Sequence, residues 1–190
     1  MPGAPDTGLI RRAHTDAGEV TIRDTTASDI AAFFAHQCDP AAIHMAAFPA
    51  RSEYEFVAHW KRILANPDIV KKTIVHNRRV AGNLVGFEQS GKTLIGYWLG
   101  REHWGQGVAT RALRQFLRVV TRRPVFAFVA KRNAGSVRVL QKCGFTIISE
   151  GIGAPDANGE PVEEIALILD APAPESREQG PRAAQRTAGS

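Results

Sequence analysis

The sequence is poor in cysteine and contains no long apolar run. Its two cysteines, Cys38 and Cys143, lack the spacing of metal ligands, so the sequence predicts no metal centre. No apolar run approaches the roughly 18 residues that span a bilayer, and the N-terminus has no apolar signal-peptide region. These features predict a cytoplasmic protein that does not bind membranes. In that compartment a disulfide is disfavoured.

Acidic residues are almost absent from residues 101–145. This segment holds ten basic residues and one acid, Glu102, for a net charge of +9, whereas the whole chain of 190 residues carries +5. The rest of the chain is therefore net negative. Such a concentration of positive charge suits a polyanionic ligand or a nucleic acid, or it serves solubility alone.

A short loop with two glycines lies inside this basic segment. The sequence His103-Trp104-Gly105-Gln106-Gly107-Val108-Ala109 follows an apolar run, and a helical pattern begins at once. Glycines let the backbone approach an anion closely, and the N–H groups and dipole of the following helix attract negative charge. The helix has one apolar stripe, formed by Ala109, Ala112, Leu113, Phe116, Leu117 and Val120. The pattern favours a phosphate-binding turn, with a purely structural turn as the alternative.

Hydrophobic periodicity predicts one folded domain over residues 20–170, between a flexible tail (1–19) and a disordered tail (171–190). The predicted order is β-α-α-β-β-β-α-β-α-β-β, with the glycine turn after the fourth strand. Strands 4 and 5, joined by a helix, should be parallel, and the others antiparallel. This is an α+β, three-layer fold with a mixed sheet of about six or seven strands and about four helices. Residues 41–50 are either a core-packing connection or a wall of a substrate cleft.

Two motifs in this order resemble those of the GNAT N-acetyltransferase superfamily. The first, Trp104-x-x-Gly107-x-Ala109, matches the superfamily's phosphate signature except at its first residue, which is usually Gln or Arg. The second is Asn133-x-x-Ser136-x-x-x-Leu140-x-Lys142-x-Gly144-Phe145. Trp104, the second motif and the preceding Gly96-Tyr97-Trp98-Leu99 look like the RimJ/RimL-type branch, whose members acetylate protein α-amino groups or small amines.

The resemblance implies a GNAT-like fold, acetyl-CoA as co-substrate and no metal. The acceptor would be a small-molecule amine or a protein N-terminus, and the protein a monomer or homodimer. Coenzyme A carries several phosphates, which need a main-chain nest and nearby cations. The residues implied to bind it are Trp98, Leu99, Gly100, Trp104, Gly105, Gln106, Gly107, Val108, Ala109, Thr110, Asn133, Ser136 and Lys142.

Direct attack of an amine on the thioester needs a base, because an alkylammonium has a pKa near 10. Related members often have a glutamate two residues before the glycine that matches Gly96, but this chain has Leu94 there. Many members also have a tyrosine that acts as the acid, and this chain has Leu140 at that position. Each remaining candidate has a structural alternative. The candidates are Glu88 as base or an exposed strand-end carboxylate, Ser136 as acid or a helix cap, and Tyr97 beside the thioester or in the core. His103 and His44 are weaker candidates, and Cys143 at a helix end is not expected to be a nucleophile.

Two other functions stay open. The absence of the usual carboxylate and tyrosine is compatible with an acyl-CoA-binding module that has little catalysis. A nucleic-acid binder would use the arginine face of the central helix, which carries Arg111, Arg114, Arg118 and Arg122. This second alternative is disfavoured because no aromatic residues are interleaved with the arginines as stacking platforms.

Overall fold

The computed structural model describes residues 18–47, 51–156 and 159–170. Strand β1 (Val20–Asp24) leads through a 3₁₀ turn (Ala27–Asp29) into helix α1 (Ile30–Gln37), which is followed by α2 (Pro40–Ala46) and α3 (Glu53–Ala65). Helix α3 begins with a capping box, in which the side chains of Ser52 and Glu55 each accept from the other's main-chain N–H. The predicted N-terminal tail up to residue 17 and the predicted C-terminal tail lie outside the described residues.

Helix α2 lies within residues 41–50, which the sequence predicted to be a core-packing connection or a wall of a substrate cleft, and its residues Ala42, Met45 and Ala46 line a cavity. Pro40 occupies the first turn of α2, where the main-chain N–H that proline lacks would have no acceptor within the helix. The side chain of Asp39 caps this helix by accepting from the N–H groups of Ala41 and Ala42, at 2.8 and 3.1 Å. Pro40 therefore lies at the start of a helix. Residues 48–50 lie outside the described residues.

The remaining elements follow the predicted order. Three antiparallel strands, β2 (Val70–His76), β3 (Arg79–Gln89) and β4 (Lys92–Leu99), precede a 3₁₀ turn (Arg101–His103) and helix α4 (Val108–Val119). Then come β5 (Val125–Ala130), α5 (Ala134–Lys142), β6 (Thr146–Ile152) and β7 (Glu163–Leu169).

The seven strands form one sheet in the order β1-β2-β3-β4-β5-β7-β6. Only β4 and β5 are parallel. The predicted α+β class, the mixed sheet and the parallel pair are confirmed. The described residues contain five α-helices, one more than predicted because of α2.

The helices cover both faces of the sheet. Helices α4 and α5 pack on one face, where Leu113, Phe116 and Leu140 are fully buried against strands β2 to β5 and β7. Helices α1 and α3 pack on the other face through Phe33 and Trp60. Because side chains alternate along a strand, Ile95, Tyr97 and Leu99 of β4 point to the first face, and Leu94, Gly96 and Trp98 point to the second. No helix among the described residues is both long and apolar enough to cross a membrane.

Candidate active site

Strands β4 and β5 pair only at their first residues, Thr93 with Val125 and Leu94 with Phe126. Beyond these pairs the strands separate, and a gap opens toward their carboxyl ends. Two cavities meet at this gap, one of about 450 Å³ and one of about 650 Å³. They share the lining residues Ala46, Tyr97, Trp98, Asn133 and Ser136. A ligand in one cavity can therefore reach a ligand in the other.

The smaller cavity, which we name the turn cavity, is lined by the glycine turn. Gly105 and Gly107 have φ angles of +72° and +71°, a conformation that strains residues with a side chain. Gly107 is the N-cap of α4, whose first N–H groups have no acceptor within the helix. The indole N–H of Trp104 donates to the main-chain oxygen of Leu99 at 3.0 Å and so fixes the turn at the end of β4. The turn cavity thus has the donors and the dipole that bind phosphate.

Eleven of the thirteen residues predicted to bind coenzyme A line the turn cavity. They are Trp98, Leu99, Trp104, Gly105, Gly107, Val108, Ala109, Thr110, Asn133, Ser136 and Lys142. The other two, Gly100 and Gln106, do not line the turn cavity. Gly100 packs against the His36 ring, and the Gln106 side chain donates to the main-chain oxygen of Glu102 at 2.7 Å.

The positive charge of residues 101–145 is spread over several surfaces. Of its ten basic residues, only Arg138 and Lys142 line the turn cavity. Arg111 and Arg123 donate to main-chain carbonyl oxygens, and Arg122 forms an ion pair with Glu88. These three arginines therefore make local structural contacts and do not line the turn cavity.

Tyr97 and Ser136, predicted separately, form a hydrogen-bonded pair where the two cavities meet. Their hydroxyl oxygens lie 2.7 Å apart. Burial raises the pKa of Tyr97 to about 12, although the hydrogen bond with Ser136 opposes this effect. The Asn133 side chain caps α5 by accepting from the main-chain N–H of Ser136 at 3.0 Å. The cap holds Ser136 at the junction of the cavities, so the pair offers a hydroxyl donor there.

Glu88 is not brought to either cavity. It lies near the end of β3, opposite Thr93 at the start of β4. Its carboxylate accepts from the Thr93 hydroxyl and pairs with Arg122 at 3.2 Å. These two partners, Thr93 first, lower the pKa of Glu88. Trp98 lies five residues beyond Thr93, about 16 Å along the strand. The structure therefore favours the alternative, an exposed strand-end carboxylate.

Three histidines and one acid pack behind the turn cavity. His103 lines the cavity, and its Nδ1 lies 3.1 Å from Nδ1 of His76. The Glu102 carboxylate lies 3.4 Å from Nε2 of His36 and 3.6 Å from Nε2 of His103. Among the described residues, His36, Glu102 and His103 are the group whose ligand atoms, all within 4.8 Å, could hold a metal ion. Burial lowers the pKa of both His36 and His103.

The other two candidates do not enter the chemistry of the cavities. His44 lies on α2 and lines neither of them. Cys143 is fully buried, and burial raises the pKa of its thiol to about 11. A thiol with this pKa is protonated at neutral pH and is a poor nucleophile, as the sequence predicted.

The larger cavity, which we name the face cavity, lies over the sheet face that α1 and α3 cover. Its floor includes Gly96 of β4, Phe128 of β5 and Glu164 of β7. Glu164 pairs with Ala130 in the sheet, three residues before Asn133, and its carboxylate lies next to Gly153, which follows β6. Burial raises the pKa of Glu164. A half-buried carboxylate at the edge of a cleft is a candidate proton acceptor.

Sequence reasoning missed Glu164 because the carboxylate lies at the predicted start of β7. The apolar run at residues 165–169 could have pointed to Glu164. Such a run predicts a strand buried on both faces, and the residues at the start of a buried strand are themselves partly covered. Arg51 and His59 of the face cavity were also missed. They come from different segments, and no local pattern joins them to Glu164.

The match to a family model decides what kind of protein this is. Residues 19–146 match the acetyltransferase (GNAT) domain. The chain belongs to the GNAT acetyltransferase family. It is therefore an N-acetyltransferase with acetyl-CoA as co-substrate, as the sequence predicted.

Solved structures of GNAT acetyltransferases share the fold. Spermidine N-acetyltransferase from Vibrio cholerae, in complex with CoA and spermine, matches with a TM-score of 0.69 at 14% identity, over 80% of this chain and 95% of that chain. A GNAT acetyltransferase from Bacillus anthracis matches with a TM-score of 0.69 at 17% identity, over 80% and 96%. The protein yncA from Salmonella typhimurium, with its cofactor acetyl-CoA, matches with a TM-score of 0.65 at 18% identity, over 87% and 99%. Among curated proteins, none matches the chain in sequence.

Proposed function

We propose that this acetyltransferase binds acetyl-CoA in the turn cavity and moves the acetyl group directly to a primary amine held in the face cavity. One observation supports this proposal most strongly. The two cavities meet at the Tyr97–Ser136 pair, the glycine turn lines one cavity, and Glu164 lines the other. The assignment to the RimJ/RimL-type branch belongs to the same proposal and is supported by Trp104 and the motif from Asn133 to Phe145. The cytoplasmic location stays a prediction.

The glycine turn would hold the phosphates of coenzyme A, with Arg138 and Lys142 as the nearby cations. The pantetheine arm would lie along Trp98 and Leu99, where β4 has separated from β5. Main-chain N–H groups of β4 that lack a partner strand would stabilise the oxyanion of the tetrahedral intermediate. The thioester is thereby presented to the junction of the cavities.

Glu164 would accept a proton from the acceptor ammonium, which leaves a neutral amine as the nucleophile. The amine nitrogen then bonds to the thioester carbon, and the carbon–sulfur bond breaks. The Ser136 hydroxyl gives its proton to the thiolate, and the second proton of the nitrogen returns through Tyr97 to Ser136, so that both hydroxyls end protonated while Glu164 releases its proton to water. The net products are an N-acetyl amide, coenzyme A thiol and one proton. An acyl-CoA-binding module is not favoured, because Glu164 and Ser136 can fill the roles of the missing carboxylate and tyrosine.

The decisive experiment compares Glu164→Gln with Glu88→Gln in a thiol-release assay with the best acceptor from an amine panel. We expect Glu164→Gln to lower kcat/KM by about 10²-fold or more, because it removes the proton acceptor. We expect Glu88→Gln to stay within about twofold, since Glu88 pairs with Arg122 outside the cavities. Glu164 acts as a base only when it is ionised, so the rate should rise with pH through its raised pKa. Glu164→Gln should abolish that acidic limb of the pH profile.

Two outcomes would overturn the assignments. An unchanged acidic limb in Glu164→Gln would remove Glu164 as the base. Tight coenzyme A binding without turnover of any amine would instead favour the acyl-CoA-binding module.

A further inference from the structure

The face cavity contains few charges. Among its described lining residues, the ionisable side chains that can carry charge near neutral pH are Arg51, His59 and Glu164. The remaining polar groups are the amides of Gln37, Asn83, Gln89 and Asn133 and the hydroxyls of Tyr97 and Ser136. The cavity therefore offers one carboxylate, which the proposed function places beside the acceptor amine.

A second ammonium would find no further carboxylate among the described residues that line this cavity. Arg51 is a cation on the same wall as His59, whose pKa is lowered by burial and then by the positive charges of Arg51 and Arg62. Taking an ammonium out of water without an opposite charge is costly. A polyamine, which carries several ammonium groups, is a poor match to this wall.

The rest of the lining is apolar. Phe33, Phe56 and Trp60 form the wall on α1 and α3, and Val85 and Phe87 of β3 lie on the floor. Phe128 has an unusual position, because it lies on an interior strand of the sheet and yet is 48% exposed. An exposed aromatic side chain inside a cleft gains from being covered by an apolar ligand.

We infer that the acceptor is a monoamine: one primary ammonium, placed at Glu164, on an aromatic or branched aliphatic body that packs over Phe128 and against the α1–α3 wall. This inference rests on the proposed function and deepens it. It separates this enzyme from the spermidine N-acetyltransferase whose fold it shares. A small arylalkylamine and a peptide with an apolar first residue both have this chemistry.

The test measures kcat/KM for acceptors that differ in one property at a time. 2-Phenylethylamine carries one charge and an apolar body, ethylamine carries the charge alone, and spermidine carries several charges. Tripeptides beginning with Phe or with Asp distinguish the peptide source from the small-molecule source. We expect 2-phenylethylamine or the Phe peptide to exceed both spermidine and ethylamine by at least about tenfold, which corresponds to about 1.4 kcal/mol of transition-state binding.

Two variants of one position sharpen the test. Phe128→Ala should raise the KM of the apolar acceptor severalfold and leave the Kd of coenzyme A unchanged. Phe128→Asp should shift the preference toward spermidine, because it adds a second carboxylate to the cavity. Ile148→Ala is the matched control, since Ile148 is 52% exposed on β6 outside both cavities.

The outcomes separate this inference from the proposal on which it rests. Preferred acetylation of spermidine by the unaltered enzyme would overturn the monoamine inference and leave the transferase function intact. Equal rates with ethylamine and 2-phenylethylamine would overturn the apolar part of the inference. Binding of coenzyme A without transfer to any of these amines would overturn the proposed function, and the inference with it.

Discussion

The turn cavity and the face cavity are built in different ways. The turn cavity includes one continuous segment, residues 104–110, whose main-chain N–H groups can bind an anion, while its other lining residues come mainly from α2, the end of β4 and α5. The face cavity is formed by side chains from α1, α3, four strands and the loop before β7. A main-chain site tolerates changes of side chain away from its glycines, and it suits a co-substrate that does not vary. A site made of side chains can change its acceptor through single substitutions.

The largest expected effect concerns the support of the face cavity. Asp29, directly before α1, is 3% exposed and accepts from Arg23 of β1 at 2.7 and 2.6 Å and from Thr73 of β2 at 2.9 Å. Burial alone would raise the pKa of Asp29, but the hydrogen bonds from Arg23, Thr26 and Thr73 hold it well below its usual range. This network joins the start of α1, which carries Phe33, to the sheet.

We expect Asp29→Ala to lower the free energy of unfolding by about 2–3 kcal/mol in urea denaturation. This loss of stability is smaller than that expected for breaking a fully buried ion pair, because the Arg23 side chain is 44% exposed. The acceptor KM should rise and the Kd of coenzyme A should change little. Folding lowers the pKa of Asp29. The ionised carboxylate therefore stabilises the folded state at pH values above the unfolded pKa of about 3.9, and this stabilisation is lost as the pH falls toward the folded pKa. The difference between wild type and variant should therefore shrink below about pH 4.

Asp24→Ala is the control, because Asp24 is an exposed carboxylate whose partner is Lys72. It should leave both stability and the acceptor KM nearly unchanged. A loss of coenzyme A binding in Asp29→Ala as large as the loss of acceptor binding would contradict independent support of the two cavities.

The same contrast explains what the sequence could predict. The glycine turn and α4 are encoded within about twenty consecutive residues, and the apolar stripe and φ requirements are local, so both were predicted. Helix α2 was not predicted, although Asp39-Pro40 fits an N-cap followed by a first-turn proline.

The proposed base could not be found from local sequence. Glu88 and Glu164 both lie near strand ends, and the tertiary structure is needed to show that Glu164 lines the face cavity and Glu88 lines neither cavity. The order places β7 beside β5, so that Glu164 lies opposite Ala130, whereas Glu88 lies at the paired end of β4. Long-range pairing of strands has no signal in a single stretch of sequence.

A second prediction tests the turn cavity alone. Gly107→Ala places a Cβ at a φ of +71° beside the expected phosphates, and Gly91→Ala does so at +73° in the β3–β4 turn. Neither Cβ would meet another atom within 4 Å, so both variants carry a similar backbone strain of about 1 kcal/mol. Calorimetry should show the Kd for coenzyme A rising about tenfold in Gly107→Ala and unchanged in Gly91→Ala. Equal affinities in the two variants would show that the turn does not approach the phosphates closely.

The smallest expected effect belongs to the junction that both cavities share. Tyr97→Phe removes a hydroxyl that lies 2.7 Å from Ser136, and Tyr54→Phe removes one from a tyrosine that is 85% exposed. We expect Tyr97→Phe to lower kcat about threefold to tenfold, because Ser136 remains and a thiolate, with a thiol pKa of about 8.5, leaves without strong acid assistance. Tyr54→Phe should have no effect.

The pH profile distinguishes a proton relay from a titrating acid at this junction. With its pKa raised to about 12, Tyr97 keeps its proton over the whole working range. Removing its hydroxyl should therefore lower the rate equally at every pH and leave both limbs of the profile in place. Disappearance of an alkaline limb in Tyr97→Phe would mean that Tyr97 itself titrates during turnover. The shared junction would then provide the acid directly, and Ser136 would only position it.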